Sequence, residues 1–208
     1  MSETSVNEVK TSILQRAMDM FQRYGLRAMT MDDVCRELAM SKKTLYQHFA
    51  NKADLVDQAV RHVFGLHQFS MDQIAAEHEN AIDRMISRYA FLMRMMESHG
   101  PNMMFPPKKY YPKTYEWLFA QRQRTMVEAL VQTIKDGQAQ RLFREDLEPE
   151  LVAQIHFTTM VGLADSDAVT ENFSQRRALI WTAISLFIRS ISTAQGLNYF
   201  NELKEPQQ

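Results

Sequence analysis

Thr30, Ser41 and Asn51 each place a side-chain oxygen where it can cap the start of a helix, and they stand only eleven and ten residues apart. A carboxylate follows three residues after the first and the last of them, at Asp33 and Asp54, which strengthens both starts. Three starts in about twenty residues predict short helices in close succession. The first of these takes Val34, Cys35 and Leu38 as its apolar face, the second covers 42–49, and the third continues through Leu55, Ala59, Val63 and Phe64. Ahead of them Val9, Ile13, Ala17, Met20, Phe21 and Tyr24 make one stripe at helical spacing, and Gly25 follows where a left-handed cap is favoured. That predicts an opening helix over 6–24.

The rest of the chain keeps the same period. Six glycines and six prolines are its only strong punctuation, and the apolar residues between them recur at three and four, not two. Ile74, Ile82, Met85, Ile86, Tyr89, Met93 and Met96 predict a long fourth helix and a fifth, with a break near 77–80. Gly100, Pro101, Pro106, Pro107 and Pro112 mark a linker with room for one helical turn. Further helices are expected over 113–135, ending at Asp136-Gly137, over 148–163, and over 173–194 ahead of Gly196. The expected fold class is all-α with about nine helices.

Composition narrows the function classes. With 45% hydrophobic and 24% charged residues the chain reads as globular and water-soluble, and the apolar run 178–191 is shorter than a membrane span and interrupted by Thr182, Ser185 and Arg189. Residues 1–10 are polar and carry Glu3 and Glu8 where a secretory leader has basic residues and then an apolar run, so a cytoplasmic protein is expected. A single cysteine, Cys35, excludes an intrachain disulfide and any multi-cysteine metal site, and its place in an apolar face makes it a core residue. None of the six histidines has a glutamate three positions before it, which removes the di-iron bundle pattern. Isolated glycines build neither a phosphate loop nor a dinucleotide fingerprint. No cofactor, metal or catalytic residue is expected; an α-helical enzyme would have to be of a kind that leaves no motif.

The net charge of -1 gives no global attraction to polyanions, so a nucleic-acid partner needs a local patch. One exists. Between Leu38 and Ala53 lie Lys42, Lys43 and Lys52 and no acid, while Tyr46 and His48 add donors suited to phosphate oxygens. The short helix after Thr30, a turn at Ala39-Met40 and the helix capped by Ser41 have the dimensions of a helix-turn-helix, whose second helix enters the major groove.

The run from Thr30 to Leu55, TMDDVCRELAMSKKTLYQHFANKADL, closely resembles the DNA-binding module of the TetR family of bacterial transcriptional regulators. The resemblance covers roughly residues 9–60 by motif and the remainder by length and helix count. It implies an N-terminal three-helix domain, 1–52, and a C-terminal helical domain, 53–208, that binds an effector and dimerises. It further implies that Thr30 caps its helix against phosphate, that Lys42, Lys43 and Thr44 face base edges, and that Tyr46, His48 and Lys52 clamp the backbone. Leu45 and Phe49 become core. Ala39 departs from the pattern, since the family usually has glycine in this turn and alanine is strained if the position needs positive φ.

The second half carries no comparable motif. Met93, Met96, Met103, Phe105, Tyr110, Tyr111 and Trp117 crowd the proline stretch and, with Phe157 and Met160, make a polarizable apolar set suited to a hydrophobic effector, or else plain core. The run 178–191 leaves almost no polar face, which implies burial on two sides. A second subunit supplies one of them in a two-fold dimer, through Ile155 and Val161 on one helix and Ile180, Ile184, Phe187, Ile188 and Ile191 on the next. The function expected is a homodimeric, ligand-responsive regulator of double-stranded operator DNA, a repressor in the first instance. A regulator or activator without a ligand is the alternative.

Overall fold

The computed structural model describes residues 3–99, 108–165 and 173–203. Nine helices account for them: α1 (Glu3–Tyr24), α2 (Met31–Glu37), α3 (Lys42–His48), α4 (Lys52–Glu77), α5 (Ala81–His99), α6 (Pro112–Ala139), α7 (Pro149–Asp165), α8 (Phe173–Ile191) and α9 (Ala194–Glu202). Two compact units emerge, Met1–Ser70 with Asn102–Ala120, and Met71–Pro101 with Gln121–Gln208. Helices α4 and α6 contribute residues to both.

In the first unit the helix ends are set locally. Gly25 closes α1 at φ 84, as the sequence predicts. The stripe of α1 (Ile13, Ala17, Met20, Phe21) meets Val34 and Cys35 of α2, Leu45 of α3, Phe49, and Leu55, Val56 and Ala59 of α4 in one core. Leu45 and Leu55 are fully enclosed and Phe49 nearly so. Burial on that scale stabilises by roughly 1.5 to 3 kcal/mol per side chain, which fixes the short α2 and α3 that could not stand alone. Helix α6 closes this unit: Trp117 packs edge-on against Phe64 at 5.5 Å, with the Arg61 guanidinium 4.0 Å from the indole centroid. Thr114 donates its hydroxyl proton to Asp57 over 2.8 Å.

From the start of α6 onward local reading goes astray. Pro112 belongs to no linker; it is the first residue of α6, where its missing N–H costs nothing. Gly137 does not end that helix, which runs on to Ala139; a glycine stands there because a side chain would overlap the Phe143 ring. The end comes at Arg141, whose φ is 60, with Leu142 N–H on Gly137 C=O and Arg141 N–H on Gln138 C=O. Helix α8 stops at Ile191, and a further helix follows that the pattern 173–194 does not foresee. The break is tertiary: Thr193 donates its N–H to Leu142 C=O at 2.9 Å, Arg144 donates to Ile191 C=O at 2.9 Å, and Thr193 then caps α9. Gly196 lies inside α9 against the Leu142 carbonyl, an approach only glycine permits. The break between α4 and α5 does fall where expected, with Asn80 accepting from Ile82 N–H at 2.8 Å.

Candidate nucleic-acid interface

The α2–turn–α3 segment is built from reciprocal caps. Thr30 accepts from Asp33 N–H at 3.2 Å while the Asp33 carboxylate accepts from both the N–H and the hydroxyl of Thr30, at 2.9 and 2.7 Å. Those Thr30 bonds hold the Asp33 carboxyl below its usual range. Ser41 caps α3, accepting from Thr44 N–H at 3.0 Å, and its hydroxyl also pairs with that of Thr44 at 2.8 Å. Asn51 and Asp54 repeat the device for α4, with Asp54 N–H on the Asn51 side chain and Ala50 N–H on the Asp54 carboxylate.

Between the first two caps the chain turns through Ala39 at φ 49. Met40 N–H reaches Cys35 C=O and Ala39 N–H reaches Arg36 C=O, the crossed bonds of a Schellman cap. The position that is usually glycine in the TetR module is therefore left-handed here too, and the alanine carries that strain.

Helix α3 then has two faces. Leu45 faces the core, and Phe49 at its C-terminal cap joins it there. Lys42, Lys43, Tyr46 and Gln47 are exposed, whereas Thr44 and His48 are half-buried. The lysines differ. Lys42 pairs with Asp32 of α2 at 2.7 Å, which raises its pKa. Lys52 is half-buried, donates to Arg27 C=O at 3.4 Å, and has its pKa lowered by desolvation. Lys43 makes no such contact among the described residues. Gln47 is the exposed member of this face that motif reasoning passed over; its signal is the spacing of four from Lys43 on a seven-residue helix.

The candidate effector residues are divided between the two units. Tyr110, Tyr111 and Trp117 belong to the first unit, where Tyr111 and Trp117 pack against its core and Arg27 lies over the Tyr110 ring. Met93, Met96, Phe157 and Met160 belong to the second, with Met96 and Phe157 buried. Met103 and Phe105 lie outside the described residues. Sequence reasoning missed the polar chemistry inside the second unit. Buried Tyr89 and His156 hydrogen-bond to one another, and Phe187 stacks on the imidazole at 3.9 Å. Desolvation lowers His156 to about 4 and raises Tyr89, so both are neutral at pH 7. Desolvation lowers half-buried Arg122 to about 10, where it keeps its charge.

The dimer candidates need correction. Ile180, Ile184, Ile188 and Ile191 are all buried within the chain's own fold, because α8 packs them against neighbours that include α5 and α7. They belong to the chain's own core. Phe187 is half-buried on His156 and Val161 is half-buried, while Ile155 is 67% exposed. Among the described residues the large exposed apolar side chains of these helices are Leu151 and Ile155 on α7 and Leu179 and Leu186 on α8.

A short capped α2, a left-handed turn and an α3 with a cationic outer face make this a helix-turn-helix DNA-binding protein. Residues 13–59 match the family described as bacterial regulatory proteins, tetR family. The HTH-type transcriptional repressor KstR2 of Mycobacterium tuberculosis is 26% identical over 170 residues, covering 76% of this chain and 81% of that protein. A TetR-family regulator from Pectobacterium atrosepticum shares the fold at a TM-score of 0.73 and 18% identity, covering 93% and 98% of the two chains. A regulator from Saccharomonospora viridis in complex with choline does so at 0.61 and 20%, covering 90% and 99%. The chain is thus similar to TetR-family transcriptional regulators, by sequence in its DNA-binding segment and by fold over most of its length. No helix among the described residues is long and apolar enough to cross a membrane.

Proposed function

We propose that the chain is a repressor that binds a palindromic operator as a homodimer and leaves it when a small, largely hydrophobic effector binds. The observation that carries the DNA reading is the exposed face of α3 set on an enclosed Leu45 and Phe49, a cationic surface on a rigid support. On this reading residues 1–52 hold the operator. Thr30, Ser41, Tyr46, His48 and Lys52 engage phosphates, and α3 meets base edges. Residues 53–208 take the effector and the partner subunit.

The partner covers Leu151, Ile155, Leu179 and Leu186, four large apolar side chains otherwise exposed on α7 and α8. The effector meets Met93, Met96, Phe157 and Met160, with the neutral Tyr89–His156 pair of the same unit as a polar anchor. Small-molecule response is supported by similar proteins, one described as a ketosteroid transcriptional regulator and one solved with choline. A ligand shifts DNA occupancy only through different affinities for the bound and free conformations, and a coupling of about 1 to 3 kcal/mol gives roughly 5- to 150-fold in operator affinity.

Selection from random duplexes, followed by gel shift at several salt concentrations, tests the operator. The expected outcome is an inverted repeat whose half-sites lie about 34 to 36 Å apart, with affinity falling steeply as salt rises. Equal affinity for selected and random duplexes at moderate salt would reject it.

A further inference from the structure

The face of α3 assigns base reading more narrowly than its lysine count does. Lys42 and Tyr46 form one row of that face and Lys43 and Gln47 the other, each pair four residues apart. Beside the first row lies the carboxylate of Asp32 on α2, 2.7 Å from the Lys42 ammonium. An exposed pair of this kind is weak and does not lock the lysine. Moving Lys42 to a base edge, however, leaves that carboxylate facing the DNA, so the row offers little net attraction. Among the described residues the side chains of Lys43 and Gln47 have no hydrogen-bonding or ionic partner, and their row on α3 carries no acid.

We infer that Lys43 and Gln47 are the reading pair of this protein and that Lys42 is a positioning residue. This rests on the DNA-binding reading above. A glutamine amide matches adenine alone, its carbonyl accepting from N6–H and its N–H donating to N7, while a lysine ammonium matches guanine O6 and N7. Four residues of helix rise about 6 Å, close to two base steps of about 3.4 Å. Each half-site therefore carries a guanine and an adenine within about two base pairs of one another.

Selection from random duplexes with the full-length protein and four variants tests the assignment; circular-dichroism melting checks that each variant is folded. Gln47→Ala is expected to lose the adenine preference, roughly 5- to 150-fold, and to keep every other position. Gln47→Glu is expected to replace adenine by cytosine, whose N4 amino group donates to a carboxylate, a change that no structural role for Gln47 produces. Lys43→Ala loses the guanine preference. Lys42→Ala weakens all sequences alike with the consensus intact. The assignment is overturned if both Gln47 variants select the wild-type site, or if Lys42→Ala is the substitution that erases a base. Failure of the wild-type protein to select any consensus overturns the DNA-binding reading itself, a result distinguishable from the other two.

Discussion

The segment from Thr30 to Asp54 and the second compact unit are both helical, yet they hold their functional side chains in opposite ways. In the first, partners lie close in sequence, three residues apart for Thr30–Asp33 and Ser41–Thr44 and ten for Lys42–Asp32, and the side chains face outward. In the second, partners are 67 residues apart for Tyr89–His156, 52 for Arg84–Asp136 and 116 for Tyr199–Asp83, and the central pair is buried. A locally capped surface can change its exposed residues without disturbing what supports them, which suits a reading head. A core tied by distant contacts responds as a unit to anything that enters it, which suits a sensor.

The sharpest break of this contrast is a pair of charges on α8. Ile184→Glu buries an unpaired carboxylate and is expected to destabilise by roughly 3 to 5 kcal/mol. Leu186→Glu, on a side chain 63% exposed, is expected to leave the fold intact and to separate the proposed dimer. Urea unfolding and light scattering on both variants decide this: a folded, monomeric Ile184→Glu protein would return that residue to the interface.

Protonation probes the second unit next. Because His156 is held near 4 against an ordinary 6.5, the unfolded chain binds its proton first as pH falls. The associated stability is complete above about pH 6.5 and is lost down to about pH 4, roughly 3 kcal/mol in all. In His156→Gln, which keeps a partner for Tyr89, denaturation between those pH values should lose about one proton of pH dependence. An unchanged slope would show that other groups carry the acid response.

A smaller effect compares the two left-handed helix ends. Ala39→Gly and Arg141→Gly should each stabilise by roughly 0.5 to 1 kcal/mol, since relief of the left-handed strain exceeds the added freedom of the unfolded glycine. Melting temperatures should rise by about 1 to 4 °C. A fall at either site would mean that its side chain contributes more than its backbone costs. Smallest of all, Lys52→Ala should leave stability within about 0.5 kcal/mol and lower the salt slope of DNA binding by about one, weakening all sequences together.

The resemblance to the TetR module implied the burial of Leu45 and Phe49 and marked Ala39 as a turn position that is strained if left-handed, which it is at φ 49. The sequence by itself determined the all-α class, the three-helix opening, the caps at Thr30, Ser41 and Asn51, and the burial of Cys35. Each depends on residues within a turn or two of one another, where spacing and side-chain type are sufficient. Tertiary structure alone decided that Lys42 turns to Asp32, that Gln47 shares the outer face, and that the aromatic and methionine residues around the prolines divide between two units. It also decided which side of α8 is core. The run 178–191 is apolar all round, so its period cannot tell the face that meets the chain's own helices from the face left for a partner. Packing against α5 and α7 took Ile180, Ile184 and Ile188 inward and left Leu179 and Leu186 outside. The close approach of Leu142 to Gly196 likewise made a helix residue of a glycine that looks like a stop, because backbone proximity across more than fifty residues leaves no mark on local pattern.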